Sequence, residues 1–129
     1  MKDLAQLLTE ANQAAFGAQS LDSSHADVRR SDRPDLGEFQ ANGALALAKT
    51  MGQKPHEIAA RAAAAWTATD LAVTPVIAGP GFLNFNVTAV ALSARAQAIA
   101  DDPRAGANLV SAPRRVIVDY GGPNVAKGM

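Results

Sequence analysis

The chain has 129 residues, with 12 Lys or Arg balanced by 12 Asp or Glu, and no cysteine. That length suits one domain, the lack of cysteine excludes disulfides and thiolate metal sites, and the neutral balance excludes a strongly basic nucleic-acid footprint. Hydrophobic residues make up 48%, but 29 residues are alanine, so a bulky core must rest on a modest set of Leu, Ile, Val and Phe with Trp66.

Residues 3–16 have helical spacing, with Leu4, Leu7, Leu8, Ala11 and Ala15 on one face and Gly17 as the stop. Residues 26–30 read as a short strand ended by the Ser31-Asp32-Arg33-Pro34 turn. A second helix is expected over residues 38–51, with Glu38 favoured at its N-terminus, Phe39 in the core and Gly52 as its stop. Gly37 before it is read as a position for an unusual backbone angle. Pro55 opens a third helix in the first-turn position that proline tolerates. Its buried face is Ile58, Ala59, Ala62, Ala65 and Trp66.

Residues 73–77 read as a strand, and Pro75 places it at a sheet edge or a bulge. A turn at Ala78-Gly79-Pro80-Gly81 leads into an alternating strand over residues 82–87. Leu83, Phe85 and Val87 point to the core; Phe82, Asn84 and Asn86 point the other way. An aromatic ring beside amides is how unpaired RNA bases are commonly read, by stacking and by hydrogen bonds to base edges. A strand with one half-exposed Phe near a turn is the plainer account of the same residues. Thr88 caps a fourth helix over residues 89–100, with Val90, Leu92 and Ile99 as its buried candidates.

Residues 102–113 lack periodicity and read as a linker. Val116, Ile117 and Val118 then read as a buried strand of an α/β sheet, stopped by Gly121-Gly122-Pro123. Ligands of open α/β sheets bind at the carboxyl ends of strands, which here carry Asp119, Asn124 and Lys127. The Gly-Lys-Ser/Thr ending of a phosphate-binding loop is absent from this stretch. His25 and His56 are 31 positions apart with no carboxylate cluster fixed near either, so no metal site is expected.

Three stretches carry a resemblance. Val118-Asp119-Tyr120-Gly121-Gly122-Pro123-Asn124-Val125-Ala126-Lys127-Gly128-Met129 resembles the signature of arginyl-tRNA synthetases, in which a strand runs into Pro-Asn-x-Ala-Lys. Arg33-Pro34, Gly37-Glu38-Phe39 and Asn42 are similar to the N-terminal domain of that family, as is Gly79-Pro80-Gly81-Phe82-Leu83-Asn84-Phe85. The family's His-x-Gly-His motif would follow directly, so the resemblance implies the N-terminal part of a synthetase, cut before its catalytic centre and inactive alone. Two departures stand out: Leu36 occupies a usual histidine position, and Gly121-Gly122 replace the usual small hydroxyl residues.

The resemblance implies a parent enzyme that joins L-arginine to tRNA(Arg) using ATP with Mg2+. Asn124 would hold the amino and carboxylate groups of arginine, Asp119 would lie near its positive charge, and Lys127 would act in catalysis at the ATP phosphates. Phe82 and Asn84 would contact the tRNA D-loop. The fold class expected is α+β. A domain over residues 1–101 has four helices on a small antiparallel sheet. A linker over 102–113 leads to the first strand and loop of a nucleotide-binding fold over 114–129. The parent is expected to be monomeric, cytoplasmic and without membrane association. A free-standing RNA- or protein-binding module and a phosphate-binding enzyme with its site at Gly121–Lys127 are the alternatives.

Overall fold

A computed structural model describes residues 1–121. Helix α1 is Leu4–Ala18, held at its start by a reciprocal cap. The Gln6 amide N–H donates to Asp3 Oδ1 at 2.8 Å, and the Asp3 N–H donates to Gln6 Oε1 at 2.9 Å. Gly17 lies inside the last turn rather than ending the helix. A 3-10 turn, Ser23–His25, follows.

Four strands form one antiparallel sheet in the order β1 (Arg29–Arg30), β2 (Phe39–Ala41), β4 (Phe82–Phe85), β3 (Val76–Ala78). Strand β1 is shorter than expected because α1 takes the backbone before it. Asn12 Nδ2 donates to the Ala26 carbonyl at 2.9 Å, and the Val28 N–H donates to Thr9 Oγ1 at 2.9 Å. Those groups are therefore satisfied without a sheet partner. Strand β3 is an edge, but it runs Val76–Ala78 rather than over residues 73–77, so Pro75 lies just before it and not within it.

The second expected helix divides. Phe39–Ala41 is the strand β2, and α2 begins only at Gly43, running Gly43–Met51. Alternation decides this: Phe39 and Ala41 are buried while Gln40 faces away. Glu38 is not a helix N-terminal acid. Its N–H donates to the Phe85 carbonyl at 3.0 Å, and its Oε2 accepts from the Val87 N–H at 2.8 Å. The carboxylate thus fastens β2 to the end of β4. Gly52 stops α2 in the left-handed region, at φ 65°.

Helix α3 is Pro55–Ala64, with Pro55 in its first turn. Trp66 lies just beyond it and is buried, its Nε1–H donating to the Ala72 carbonyl at 2.9 Å. The Trp66 and Phe85 rings are tilted by 56° with centroids 5.2 Å apart, a favoured aromatic arrangement. Leu8, Phe16, Ile58, Leu83 and Phe85 complete the centre of the core. Each such side chain adds roughly 1.5–3 kcal/mol by leaving water.

Helix α4 is Ala89–Asp101, and Thr88 caps it by accepting from the Ala91 N–H at 3.1 Å. It buries no residue fully, contrary to the expectation for Val90 and Leu92. Asp102 then organises a turn, accepting from the N–H groups of Arg104 and Gly106, both at 3.0 Å. The expected strand at Val116, Ile117 and Val118 is not formed. These side chains are exposed, Ile117 by 88%, and among the described residues no strand lies beside them. Among the described residues no helix is long and apolar enough to cross a membrane.

Candidate nucleic-acid interface

Antiparallel pairing puts directly opposed residues on the same face of a sheet. Phe39 opposes Phe85, and Ala41 opposes Leu83 and then Ile77, all on the core face. The other face is defined by the row Arg29, Gln40, Asn84, Val76, each opposed to the next. Phe82, two residues from Asn84, stands on that outer face beside Ala78. The two residues singled out from the alternating strand therefore do share a face, as the period of two requires.

Their surroundings differ. Phe82 is half-buried and lies next to the Gly79 turn, where an added Cβ would come within 3.4 Å of its ring. Asn84 is only 1% exposed, although it faces away from the core. Its Oδ1 accepts from Gln40 Nε2 at 3.0 Å, and its Nδ2 donates to the Val76 carbonyl at 3.4 Å. Gly37 crosses over it: a Cβ at position 37 would lie 2.8 Å from the Asn84 Cβ. Close approach, not an unusual backbone angle, is what requires glycine at position 37, since its φ is not positive. Asn86, the third outward amide, accepts through Oδ1 from the Glu38 N–H at 3.3 Å.

Composition alone could not single out Gln40. It was expected inside a helix, and its opposition to Asn84 exists only once β2 forms. The loop before β2 adds an exposed ion pair, Arg33 to Asp35 at 2.7 Å. The hydrogen bond from Arg33 holds the Asp35 carboxyl below its ordinary pKa. Asp119, expected near an amino-acid pocket, is exposed and outside any strand. Asn124 and Lys127 lie outside the described residues. Among those described, no three His, Cys, Asp or Glu side chains converge on a metal-sized site.

The family model for the arginyl tRNA synthetase N terminal domain matches residues 2–87. The chain belongs to this family. The matched span holds α1 to α3 and all four strands, and so the whole outer face of the sheet. Curated relatives extend the similarity to the tail. An arginine–tRNA ligase from Hyphomonas neptunium is 44% identical over 129 residues, which are 100% of this chain and 22% of the relative. One from Cronobacter sakazakii is 38% identical over 125 residues, 97% of this chain and 22% of the relative. One from Synechococcus sp. strain WH7803 is 41% identical over 121 residues, 91% of this chain and 20% of the relative. The chain thus spans about a fifth of the length of the curated relatives it matches.

Proposed function

We propose that this chain is the tRNA-contacting N-terminal part of an arginine–tRNA ligase, and that it contacts the tRNA D-loop through the outer sheet face bearing Phe82 and Asn84. The observation that carries this reading is that one aromatic and two amides share that face within a domain of the arginyl-tRNA synthetase family. An aromatic platform beside amides suits an unpaired nucleotide, by stacking and by edge hydrogen bonds. The neutral overall charge fits a local contact that supplements a larger interface, since phosphate neutralisation supplies most affinity in free-standing RNA binders.

In the whole protein, L-arginine, ATP with Mg2+ and tRNA(Arg) are the substrates. Residues 1–101 form the tRNA-contacting unit, residues 102–113 link it to the catalytic domain, and residues 114–129 begin that domain. There Asp119 and Asn124 line the arginine pocket and Lys127 meets the ATP phosphates. The parent acts as a cytoplasmic monomer. Catalysis belongs to the parent, so this chain alone does not aminoacylate.

An NMR titration of the 129-residue chain with tRNA(Arg) tests the D-loop contact. Shift changes should cluster on β2 and β4, and Phe82→Ala should weaken binding about tenfold, the equivalent of one lost base stack. Shifts confined to another surface, or unchanged binding by Phe82→Ala, would remove the reading.

A further inference from the structure

We propose that the RNA-contacting face extends across the sheet from Phe82 and Asn84 to Gln40 and Arg29, with Gln40 coupled to Asn84 as a single amide unit facing the base and Arg29 meeting an adjoining phosphate. This rests on the reading of the outer face as the tRNA contact.

The register carries it. Arg29, Gln40 and Asn84 are directly opposed on three neighbouring strands. They form a row roughly 10 Å long at the usual strand spacing of about 5 Å. Asn84 lies almost wholly beneath the surface, and its carbonyl oxygen is held by Gln40. Gln40 itself is half-exposed. Its Oε1 and its second N–H have no protein partner among the described residues. An amide with one donor committed to a buried neighbour and a free acceptor and donor at the surface is oriented before a ligand arrives. That limits the entropy lost on binding. The Gln40 donor at 3.0 Å and the Val76 carbonyl at 3.4 Å together fix the orientation of the Asn84 amide, so any edge that Asn84 presents depends on Gln40 through the shorter of the two bonds.

Three arginines lie close together in sequence, and the fold separates them. Arg30 opposes Phe39, so it stands on the opposite face, beside Leu4 and Arg95. Arg33 is committed to Asp35 through two hydrogen bonds of 2.9 and 2.7 Å. Arg29 is exposed, stands on the Phe82 side, and makes no ion pair among the described residues. It is therefore the cation of this cluster best placed for a phosphate next to a base stacked on Phe82. Arginine suits the task because its planar fork matches phosphate oxygens.

The test uses the 129-residue chain with a tRNA(Arg) transcript and with transcripts altered at single D-loop bases. Retention of the Trp66 fluorescence spectrum shows that each variant is folded. Gln40→Ala should weaken binding about tenfold and narrow the difference between the original and altered transcripts. Asn84→Ala should cost much less in a Gln40→Ala background than alone, because the two amides act together. Arg29→Gln should weaken all transcripts alike and lower the salt slope of log K by about 1, whereas Arg30→Gln should change neither. If Phe82→Ala weakens binding while Gln40→Ala and Arg29→Gln do not, the extension is wrong and the narrower contact stands. Additive losses for Asn84 and Gln40 would overturn their coupling. If the original chain does not bind, or Phe82→Ala has no effect, both readings fall together.

Discussion

Helices α3 and α4 are both rich in alanine, yet the fold treats them in opposite ways. Helix α3 buries Ile58, Ala59 and Ala62 against the core, whereas α4 leaves Val90 69% and Leu92 45% exposed. Spacing explains the difference. Ile58, Ala59 and Ala62 fall on one side of a helix, at i, i+1 and i+4. Val90 and Leu92 are two positions apart, about 200° around the axis, so no single surface can cover both. The half-buried residues of α4 are Ala91, Arg95 and Ile99, a narrow stripe repeating every four residues. Similar composition therefore gives a core element in one place and a peripheral one in the other. The family match ends at Val87, just before the peripheral helix.

The comparison is broken most forcefully in the core. Ile58→Ala should destabilise the chain by about 2–5 kcal/mol, by loss of transfer energy and an unfilled cavity. Val90→Ala should change stability by less than about 0.5 kcal/mol. Urea unfolding followed on the single tryptophan, Trp66, measures both. Equal losses would mean that α4 is as much a part of the core as α3.

Gly43→Ala is the next largest effect. Alanine in a helix is ordinarily favoured over glycine by roughly 1 kcal/mol. At the start of α2, however, an added Cβ would lie 1.6 Å from the His25 carbonyl oxygen. The substitution should therefore reduce stability, by about 1–3 kcal/mol from forced backbone movement. A stabilised Gly43→Ala variant would show that α2 and the 3-10 turn are not packed as closely as described.

Thr88→Ala should act mainly on α4 and on its tie to the Asp70 loop. It removes the cap on the Ala91 N–H and the hydroxyl hydrogen bond to the Asp70 carbonyl. The expected loss is about 1 kcal/mol, seen as faster amide exchange in residues 89–101 with little change in the sheet. Exchange that rises equally in β4 would join the two regions into one cooperative unit.

The smallest effect is electrostatic. Asp35 is lowered in pKa chiefly by its hydrogen bond from Arg33, and Asp22 chiefly by its hydrogen bond with Ser24. Carboxyls lowered in the folded state stabilise above their unfolded pKa. That stability is lost as pH falls through the folded value, so the window lies below about pH 4. Both groups are fully exposed, and salt should mask the effect further. Asp35→Asn should flatten acid denaturation slightly at low salt and leave stability at neutral pH almost unchanged. A large change at neutral pH would contradict a solvent-screened pair.

Local signals in the sequence were sufficient where they act within a few residues. The cap at Thr88, the first-turn proline of α3, the Gly52 stop and the period of two along residues 82–85 all follow from backbone geometry and side-chain reach. So does the shared face of Phe82 and Asn84. The family resemblance was also legible, because it rests on short residue strings. Tertiary contacts decided the rest. Residues 38–41 carry no strong strand signal of their own, and they become a strand because β4 offers Phe39 and Ala41 an apolar surface to alternate against. Gly37 is needed for a neighbour 47 positions away, not for its own dihedral angle. Asn84 looks like an outward polar residue in the sequence, but Gln40 and Gly37 close over it once the strands pair. A β-branched run at Val116, Ile117 and Val118 signals a strand, yet a strand exists only where a partner supplies hydrogen bonds. Sequence by itself determined the alternation along residues 82–85 and where α1, α3 and α4 begin; where α2 begins, which strands meet, and so which amide reaches the surface, were fixed by packing over long chain separations.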